Sequence, residues 1–386
     1  MGGCGHVGIP LGLALASRDF DVTLMDLNEA AVDKINRATL PFVEEGAEEI
    51  LKAHVSKNLR ATTDIHAVQD QDAVIFVTGT PVDEHHNPKI HDVLKVIRQY
   101  LELMKRDQLV ILRSTIYPGT TEVIIEMLKK HFGAAHLAFC PERIVQGKGI
   151  EEIFNLPQIV AASSDEAFEA ARKIFSRISP KIIRLKPREA ELVKLITNTW
   201  RYLEFAAANA FYMMIEQEGV DFYTVYDAMR DGYPRAASFP SAGLAAGPCL
   251  FKDTMQLSAF YQNNFFLGQS AMLVNEGLPN FLVNQLEKKM GALAGKRIAI
   301  LGMTFKANND DTRESLSFKL RKLLDFKLAK VLVHDPYLEN DDTLEGVLES
   351  AEGVILGTPH KEYKNLRITV PFVDCWGIWR YEKEAA

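Results

Sequence analysis

The chain has 386 residues and a formal net charge of −7, with 47% hydrophobic and 25% charged residues. The length predicts two or three domains, and the composition is typical of a soluble globular protein. The negative charge argues against nucleic acid as the main partner. No apolar run reaches the roughly 18 residues of a membrane span and no signal-peptide pattern is seen, so we expect no membrane partner and a cytoplasmic location.

The four cysteines, Cys4, Cys140, Cys249 and Cys375, lie far apart in the sequence. They form no CxxC pair and no His/Cys cluster with the spacing of a zinc site. We therefore expect reduced thiols, with neither a disulfide framework nor a bound metal.

The first informative motif is the N-terminal stretch GGCGHVGIPLG, in which Gly3, Gly5 and Gly8 form a G-x-G-x-x-G pattern. A helical run follows, and then an apolar strand, DVTLM, ends at Asp26. In a dinucleotide-binding fold the glycines allow a tight turn, close approach of the pyrophosphate and close helix packing, and the acid binds the ribose hydroxyls. The acid would repel a 2′-phosphate, which favours NAD. For the glycines alone, the alternative is an ordinary Gly-rich turn.

A dinucleotide fingerprint should follow a β-strand, but only Met1 and Gly2 precede this one. The missing strand would lie at the centre of the sheet, where its absence would leave the edges of its neighbours unpaired. We therefore expect the first strand of this domain to be missing, unless the sheet fills the gap in another way.

Three apolar segments further along predict buried parallel strands, each followed by polar residues: DAVIFVTGTP at residues 72–81, LVILRSTIYPGTTE and HLAFCPERIVQGKG. The carboxyl ends of strands in an open α/β sheet carry the loops that line the ligand crevice. Thr80, Thr115 and Glu142 are therefore candidate ligand-binding residues. Ordinary turn formation is the alternative for the two threonines.

The middle of the chain is predicted to be helical. The pattern that begins at PREAELVKL runs for about thirty residues and ends near Gly219. Lys194 and Asn198 are four residues apart and share one helix face, although a solvated surface lysine is the alternative for Lys194. A second helical stretch is predicted from about Asp253 to Met290. The apolar faces of these helices exceed what one domain could cover, which indicates a connecting and dimerising element.

A second α/β unit follows GALAG, with strands predicted in KRIAILGMTF, AKVLVHDPYLE, EGVILGTPH and ITVPFVD. It lacks the glycine fingerprint, but its polar loop FKANNDDTRES offers Lys306 and Arg313 to phosphate oxygens. The predicted fold is α/β, with two Rossmann-like doubly wound domains joined by a central long-helix domain. The predicted domains are residues 1–180, 181–290 and 291–386.

Cys249 lies in the stretch SAGLAAGPCLFKD, with Lys252 and Asp253 close behind. A cysteine in an apolar setting is usually a small buried hydrophobe. In a glycine-flanked loop beside a lysine, however, it can act as a thiolate nucleophile. With a hydride acceptor in the same chain it could add to an aldehyde, and the thiohemiacetal could be oxidised to a thioester that water opens to a carboxylate.

Six segments in chain order make the sequence resemble the nucleotide-sugar 6-dehydrogenases of the UDP-glucose/GDP-mannose dehydrogenase family: GGCGHVGIPLG, STIYPGTTE, CPER, AELVKLITNTWR, GPCLFKD and GMTFKANNDDTRES. The resemblance covers nearly the whole chain. It implies a four-electron oxidation of the C6 alcohol of a nucleotide sugar to a uronic acid, with two NAD per sugar. It also implies a homodimer joined by the central helices.

The resemblance further implies roles for individual residues. The implied catalytic residues are Cys249, Lys194, Asn198, Asp253, Thr115 and Glu142. The Cys249 thiol would be the nucleophile, and Lys194 with Asn198 would stabilise oxygen charge. Asp253 and Thr115 would position or activate water, while Glu142 would assist proton transfer or bind the sugar. The implied NAD-binding residues are Gly3, Gly5, His6, Val7, Gly8, Asp26, Thr80, Ser114, Thr115 and Arg313. The implied substrate-binding residues, of which Phe305 and Lys306 hold the nucleotide part, are Glu142, Arg143, Ile144, Val145, Lys194, Asn198, Arg235, Gly243, Leu244, Gly247, Phe305 and Lys306.

Two departures from the UDP-glucose type favour the UDP-N-acetylhexosamine branch of this family. The loop PERIVQG has Gln146 where the UDP-glucose type has a second acid, and DCWGIWR replaces DGR, which makes Arg380 a conjectural substitute for the arginine. We therefore expect a UDP-N-acetylhexosamine substrate, with UDP-glucose or GDP-mannose as alternatives. The sequence is also compatible with a β-hydroxyacid-type dehydrogenase, which performs one oxidation, or with a non-catalytic nucleotide-binding protein.

Overall fold

The structure is a computed structural model that describes residues 1–79, 83 and 88–380. It divides the chain into two units, Met1–Thr197 and Asn198–Ala386. The three domain boundaries expected from the sequence are not tested by this division and stay a prediction.

The first unit contains two sheets, one parallel and one mainly parallel. Its strands are β1 (Val22–Met25), β2 (Leu59–Thr62), β3 (Ala73–Phe76), β4 (Leu109–Leu112), β5 (Leu137–Phe139), β6 (Gln158–Ala162) and β7 (Ile182–Leu185). β1 pairs with β2, and β3 to β7 pair in chain order, with an antiparallel step between β5 and β6. The three apolar segments predicted as strands are confirmed as β3, β4 and β5. Their polar loops therefore leave the sheet at one edge.

Helices connect these strands because their apolar residues recur at helical spacing. They are α1 (Gly8–Ala16), α2 (Glu29–Asn36), α3 (Ala47–His54), α4 (Ile90–Leu101), α5 (Thr120–Phe132), α6 (Gly149–Asn155) and α7 (Asp165–Phe175). Side-chain caps begin two of them: Asn28 accepts the Ala31 N–H, and Ser164 accepts the Ala167 N–H. α1 is buried along its whole length.

The first three residues hydrogen-bond to both sheets of this unit. The Met1 amino group donates to the Ile75 carbonyl (2.8 Å), and the Val77 N–H donates to the Met1 carbonyl (2.9 Å). On the other side, the Gly3 N–H donates to the Met25 carbonyl (2.9 Å). Backbone bonds thus run from residues 1–3 to both β1 and β3. The expectation of a missing first strand stays a prediction.

The long helix predicted around Lys194 forms as α8 (Pro187–Gln217), and a short helix, α9 (Phe222–Arg230), follows it. The prediction of one helical stretch from Asp253 to Met290 is wrong. The structure has two helices there, α10 (Leu250–Phe260) and α11 (Phe266–Met290). Between them Gln262 and Asn263 adopt left-handed φ angles of 53° and 59°, which an α-helix cannot accommodate.

The second unit contains a four-stranded parallel sheet among its described residues. Its strands are β8 (Arg297–Leu301), β9 (Lys330–His334), β10 (Gly353–Leu356) and β11 (Phe372–Val373), in the spatial order β9, β8, β10, β11. α12 (Ser317–Phe326) connects β8 to β9, and α13 (Leu344–Ser350) connects β9 to β10. All four predicted strand segments are confirmed. β10 is wholly buried and β8 nearly so, as expected for the middle of such a sheet.

Both units therefore contain mainly parallel α/β sheets with helical crossovers, and long helices lie between the two sheet regions in the sequence. The predicted fold class is confirmed: α/β, with two Rossmann-like doubly wound regions joined by a long-helix region. Within the described ranges, no helix is both long enough and apolar enough to cross a bilayer.

Candidate active site

The glycine turn before α1 is held by close backbone packing. A Cβ on Gly8 would lie 2.3 Å from the Gly3 carbonyl oxygen, and a Cβ on Gly3 would lie 2.9 Å from the Leu24 Cα. Gly5 differs, because the nearest atom to a Cβ built there is 3.9 Å away. Packing within the protein thus explains Gly3 and Gly8, whereas Gly5 leaves space beside the turn in which a ligand could approach the backbone.

The carboxylate of Asp26 lies beside this turn. Its Oδ2 accepts the Cys4 N–H and its Oδ1 accepts the Asn28 N–H, both at 3.0 Å. α1 begins directly after the turn, and no side chain caps its N-terminus at Val7. NAD requires N–H groups at a helix N-terminus for its pyrophosphate and an acid for its ribose hydroxyls. The residues of this turn therefore fit NAD.

The loops after β3 and β4 carry the next candidates. The Ser114 hydroxyl donates to the Thr78 carbonyl, which links the two loops. Thr115 follows and is half-buried. Thr80, which the sequence predicts as an NAD-binding residue, lies outside the described residues. Ser114 and Thr115 stay predicted ligand-binding residues, at the carboxyl edge of the sheet where the sequence places them.

A buried ion pair holds Glu142. The Arg113 guanidinium is fully buried and donates to the Glu142 Oε2 (2.5 Å), to the Cys140 carbonyl (2.9 Å) and to the Gln158 side chain (2.8 Å). It also stacks on the Phe175 ring, 4.9 Å from its centroid. Sequence reasoning missed Arg113, although a charged residue directly after the buried strand LVIL is a signal that could have revealed it.

The other oxygen of Glu142 organises the loop behind it. Its Oε1 accepts the N–H groups of Arg143 (2.7 Å) and Ile144 (3.1 Å). The Val145 N–H donates to the Glu152 carboxylate (2.5 Å). Burial also lowers the pKa of the Arg143 guanidinium. The three predicted substrate-binding residues at 143–145 thus have their backbone ordered by two carboxylates. This geometry gives Glu142 a structural task in addition to any chemical one.

A second carboxylate that the sequence analysis missed, Glu44, holds the far end of the same loop. It is buried and accepts the N–H groups of Gly147 (3.0 Å) and Gly149 (2.5 Å). Two residues earlier, the Phe42 ring stacks on the predicted NAD-binding residue His6 with centroids 3.8 Å apart. The segment around Glu44 therefore contacts both the glycine turn and the loop after β5.

The first turns of α8 are attached to the loop that carries Thr115. The buried Glu191 carboxylate accepts the N–H groups of Gly119 (2.6 Å) and Thr121 (2.8 Å). Through these two bonds Glu191 caps the start of α5. Burial raises the pKa of Glu191, although these bonds counteract it. Lys194 and Asn198 follow at spacings of three and four residues on the same helix, and both are buried. Glu191, also missed from sequence, thus anchors the helix that bears the two predicted catalytic residues.

Cys249 is exposed and lies at the N-cap of α10. The Asp253 N–H of the first turn donates to the Cys249 carbonyl (2.8 Å). The buried Asp253 carboxylate accepts a 2.6 Å hydrogen bond from the Asn198 amide and lies 3.2 Å from the Lys252 ammonium. A helix N-terminus favours negative charge at this position. The structure therefore brings Cys249, Asp253 and Asn198 together, and their catalytic roles stay a prediction.

Two glycines of the segment before Cys249 pack against aromatic rings. A Cβ on Gly247, whose φ is 98°, would lie 2.5 Å from the Phe305 ring. A Cβ on Gly243 would lie 2.2 Å from the Trp376 ring. The Gly247 N–H also donates to the Glu314 carbonyl (3.2 Å). Of the predicted substrate residues, Gly247 thus lies against Phe305, and Gly243 lies against Trp376.

Two buried asparagine side chains hold the backbone at Gly243 through hydrogen bonds. Asn209 of α8 accepts the Gly243 N–H and donates to the Gly243 carbonyl, both at 2.9 Å. Asn275 of α11 completes the network by accepting from Asn209 (2.9 Å). Leu244, a predicted substrate residue, has its side chain in the hydrophobic core of the second unit. The two asparagines are further residues that sequence reasoning missed.

Arg313 lies near the thiol, although the resemblance assigns it to the cofactor. Its Nε and Nη2 donate to the buried Asp311 carboxylate, with Nη2 to Oδ2 at 2.6 Å. The hydrogen bond to Asp311 is the main cause that raises the pKa of Arg313, and a Cys249 thiolate would add to it. Arg313 is therefore within electrostatic range of the sulfur. Lys306, in the same loop, is half-buried.

Two other arginines named in the sequence analysis make contacts of their own. Arg235 is exposed, donates to the Tyr233 hydroxyl (2.7 Å) and stacks on that ring. Arg380 pairs with Asp227 (2.7 Å) and stacks on Tyr223, so its guanidinium is already engaged. Among the described residues, no three His, Cys, Asp or Glu side chains are grouped as a metal site requires.

The four cysteines predict a selective alkylation. Burial raises the pKa of the Cys4 and Cys140 thiols to about 12 and raises that of Cys375 well above its ordinary value, so near pH 8 these three thiols stay protonated and shielded. Native protein treated with iodoacetamide should carry one adduct per chain, and the Cys249→Ser variant none, by intact-mass spectrometry. Urea-unfolded protein is the positive control, with all four thiols reacting. An adduct on the native variant would contradict this placement.

The glycine turn predicts two separable effects. Gly8→Ala should lower Tm by several degrees, because its Cβ meets the Gly3 carbonyl oxygen at 2.3 Å. Gly5→Ala should leave Tm unchanged but weaken NAD binding in a calorimetric titration, because its Cβ occupies space that only a ligand needs. Gly277→Ala, in a helix with nothing within 4 Å of the new Cβ, is the control for both measurements. Unchanged NAD affinity in Gly5→Ala would remove the phosphate-binding role of the turn.

The sequence matches three domain models of the UDP-glucose/GDP-mannose dehydrogenase family. They are the NAD binding domain at residues 1–179, the central domain at residues 188–276 and the UDP binding domain at residues 299–380. The matches follow one another along the chain, and the first contains the glycine turn and Asp26.

Similarity to individual proteins extends over the whole chain. The UDP-N-acetyl-D-mannosamine dehydrogenase of Pyrococcus horikoshii is 30% identical over 376 residues, covering 94% of this chain and 90% of the relative. A solved structure of the UDP-D-ManNAc dehydrogenase from Pyrococcus horikoshii has a TM-score of 0.88 at 29% identity, with 95% and 90% of the two chains covered. A UDP-glucose dehydrogenase from Pyrobaculum islandicum has a TM-score of 0.90 at 27% identity, with 98% and 93% covered. With its glycine turn, acid and thiol in place, this chain belongs to the UDP-glucose/GDP-mannose dehydrogenase family of NAD-dependent nucleotide-sugar dehydrogenases.

Proposed function

We propose that this enzyme oxidises the C6 hydroxyl of a UDP-N-acetylhexosamine to the uronic acid through covalent adducts on Cys249. The observation that carries the proposal is the position of this thiol. Cys249 is exposed at the start of α10, one turn from the buried Asp253 carboxylate that accepts the Asn198 amide, while the other three cysteines are buried. A nucleophile needs such access, and a cysteine that serves only packing does not.

The chemistry balances in four steps. The C6 alcohol first loses a hydride and a proton to become an aldehyde. The Cys249 sulfur then adds to the aldehyde carbon, and the thiohemiacetal so formed loses a second hydride and a proton to give a thioester. Water cleaves the carbon–sulfur bond, which releases the carboxylic acid and restores the thiol. Bound NAD would supply the hydride acceptor for each oxidation, so two NAD are consumed per sugar.

The polar side chains around these steps have complementary tasks. Lys194 and Asn198 would stabilise the oxygen charge that develops on the adducts, and loss of one such donor commonly costs about 3 kcal/mol of barrier. The Asp253 carboxylate, held by the Asn198 amide at 2.6 Å, would orient the attacking water, with Thr115 assisting. Glu142 would contact the sugar or move a proton while it keeps the 143–145 loop ordered.

The binding residues divide between two ligands. For NAD, we propose the glycine turn with Asp26, together with Thr80, Ser114, Thr115 and Arg313. For the sugar nucleotide, we propose Glu142 and the 143–145 loop, Lys194, Asn198, Arg235, the Gly243–Gly247 segment, Phe305 and Lys306. The contacts of Gly243 and Gly247 with aromatic rings support the second set, because they shape the segment next to the thiol.

An N-acetylhexosamine is favoured over glucose by two observations. Similar proteins are named UDP-N-acetyl-D-mannosamine dehydrogenase and NDP-N-acetyl-D-galactosaminuronic acid dehydrogenase. Moreover, the loop PERIVQG has Gln146 where the UDP-glucose type has a second acid, and Arg380, the conjectural substitute for the arginine of that type, pairs with Asp227. UDP-glucose and GDP-mannose remain the alternative substrates, and a cytoplasmic location stays a prediction.

The reaction predicts a fixed stoichiometry. Incubation with NAD and a panel of UDP- and GDP-sugars should yield two NADH per sugar, measured at 340 nm as roughly two equivalents against the titrated sugar, and UDP-N-acetylhexosamines should react fastest. Cys249→Ser should stall after the first oxidation, while Cys375→Ala, which removes a thiol from the core, should keep the full stoichiometry. Full turnover without the Cys249 thiol would exclude the covalent route. One NADH per substrate in the parent enzyme would indicate a β-hydroxyacid-type reaction.

We also infer that the enzyme is a homodimer joined through its long helices. One face of α8 exposes Ile196 (53%), Trp200 (60%), Phe211 (46%) and Met214 (60%), and α11 exposes Leu273 (68%). An exposed apolar stripe of this length is unusual for a monomer and is typical of a subunit interface.

The dimer can be tested by mass in solution. Light scattering after gel filtration should give the dimer mass for the parent, and Trp200→Asp should shift it to the monomer, because a carboxylate in an apolar interface lacks a partner. Phe326→Asp, at a residue 83% exposed at the end of α12, should leave the dimer intact. A monomeric parent would contradict the inference, and so would equal effects of the two substitutions.

A further inference from the structure

A buried histidine lies beneath the loop that carries Phe305 and Lys306. His360 follows β10 and is fully buried. Its Nδ1 accepts the Asn308 N–H (2.9 Å), and its Nε2 lies 3.1 Å from the Thr304 hydroxyl and 3.1 Å from the Asp335 Oδ2. Since Nδ1 is an acceptor, the ring carries its proton on Nε2. One imidazole ring thus bonds the loop on both sides of Phe305 and Lys306.

Asp335, at the end of β9, continues this support. Its Oδ2 also accepts the N–H groups of Met303 (2.6 Å) and Thr304 (3.0 Å). The Thr304 hydroxyl, which faces His360, donates to the Lys306 carbonyl (3.1 Å). The loop backbone at residues 303–308 is therefore tied at several points to a buried pair at the carboxyl ends of β9 and β10.

Hydrogen bonds on both sides hold Asn308 in its conformation. Asn308 has a φ of 57°, in the left-handed region that asparagine tolerates better than most L-residues. Its side chain accepts the Lys361 N–H (3.1 Å), while its own N–H is held by His360. These contacts therefore hold the backbone at Asn308 in one defined conformation directly after Phe305 and Lys306.

We propose that His360 is a positioning residue, which presets the Thr304–Asn308 backbone so that Phe305 and Lys306 are placed to bind the nucleotide part of the substrate. His360 does not touch the reacting atoms. Preorganisation of this kind lowers the cost of binding and leaves the chemical steps unaffected. The inference rests on the proposed function, because that function assigns the nucleotide to Phe305 and Lys306.

The full-length enzyme tests this with UDP as the probe. Titration calorimetry would measure the Kd of UDP, and steady-state kinetics would separate KM for the nucleotide sugar, KM for NAD and kcat. In His360→Ala the Kd of UDP and the KM of the nucleotide sugar should rise about tenfold, because hydrogen bonds that order the loop are lost. KM for NAD and kcat at saturating sugar should stay close to the parent values.

Two conservative variants identify the bond that matters. In His360→Asn the amide oxygen can still accept the Asn308 N–H, and in His360→Gln the amide can still reach Thr304 and Asp335. Each should restore part of the UDP affinity lost in His360→Ala, which a general loss of stability would not predict. Failure of both variants to recover any affinity would contradict the positioning role.

His334 provides the matched control. It is also buried, in the same unit, but its Nδ1 bonds the Tyr363 hydroxyl (2.9 Å). His334→Gln should lower Tm to a similar extent as His360→Ala and leave UDP affinity unchanged. Equal rises in the Kd of UDP for the two variants, or no rise in His360→Ala, would overturn this inference but not the proposed function. A parent enzyme that binds no UDP would overturn the proposed substrate, and the inference with it.

Discussion

The position of the Cys249 thiol depends on one buried hydrogen bond, from the Asn198 amide to the Asp253 carboxylate at 2.6 Å. It links α8 to the first turn of α10, and the Asp253 N–H in turn bonds the Cys249 carbonyl. Either group would be costly to leave buried without the other, so the pair acts as one unit. An exposed thiol is thereby fixed by polar groups that solvent does not reach. The exposed thiol is accessible to a substrate, while the buried pair keeps the backbone around it rigid.

Buried charged groups support the other predicted loops in the same way. Arg113 holds Glu142, Glu44 holds the far end of the loop after β5, and Glu191 caps α5 next to Thr115. Burying a charge is expensive, and a buried ion pair seldom adds net stability over apolar packing. Such groups instead fix the orientation of the loops, because hydrogen bonds constrain geometry more strictly than apolar contacts do. Loops whose backbone must meet a ligand at a set distance benefit from that constraint.

The glycines divide into those required by the protein and those left for a ligand. Gly8 and Gly243 have another part of the chain where a Cβ would lie, the Gly3 carbonyl and the Trp376 ring respectively. Gly5 has no such neighbour within contact distance, since the nearest atom is 3.9 Å away. A sequence motif cannot distinguish a glycine required by packing from a glycine that leaves space for a ligand. The surrounding packing separates them, because, of these three glycines, it leaves open space only at Gly5.

The sequence by itself determined the fold class, most strands, the long helix α8 and the family, because apolar periodicity and glycine spacing are local properties that neighbouring residues express. It did not reveal the break at Gln262 and Asn263, where backbone conformation overrides a continuous helical pattern. Nor could it decide whether Cys249 packs in a core or meets solvent. Asn198 and Asp253 are 55 residues apart in the sequence, and Arg113 and Glu142 are 29 residues apart. Only the tertiary structure brings such pairs together, since burial and partner choice depend on how distant segments pack.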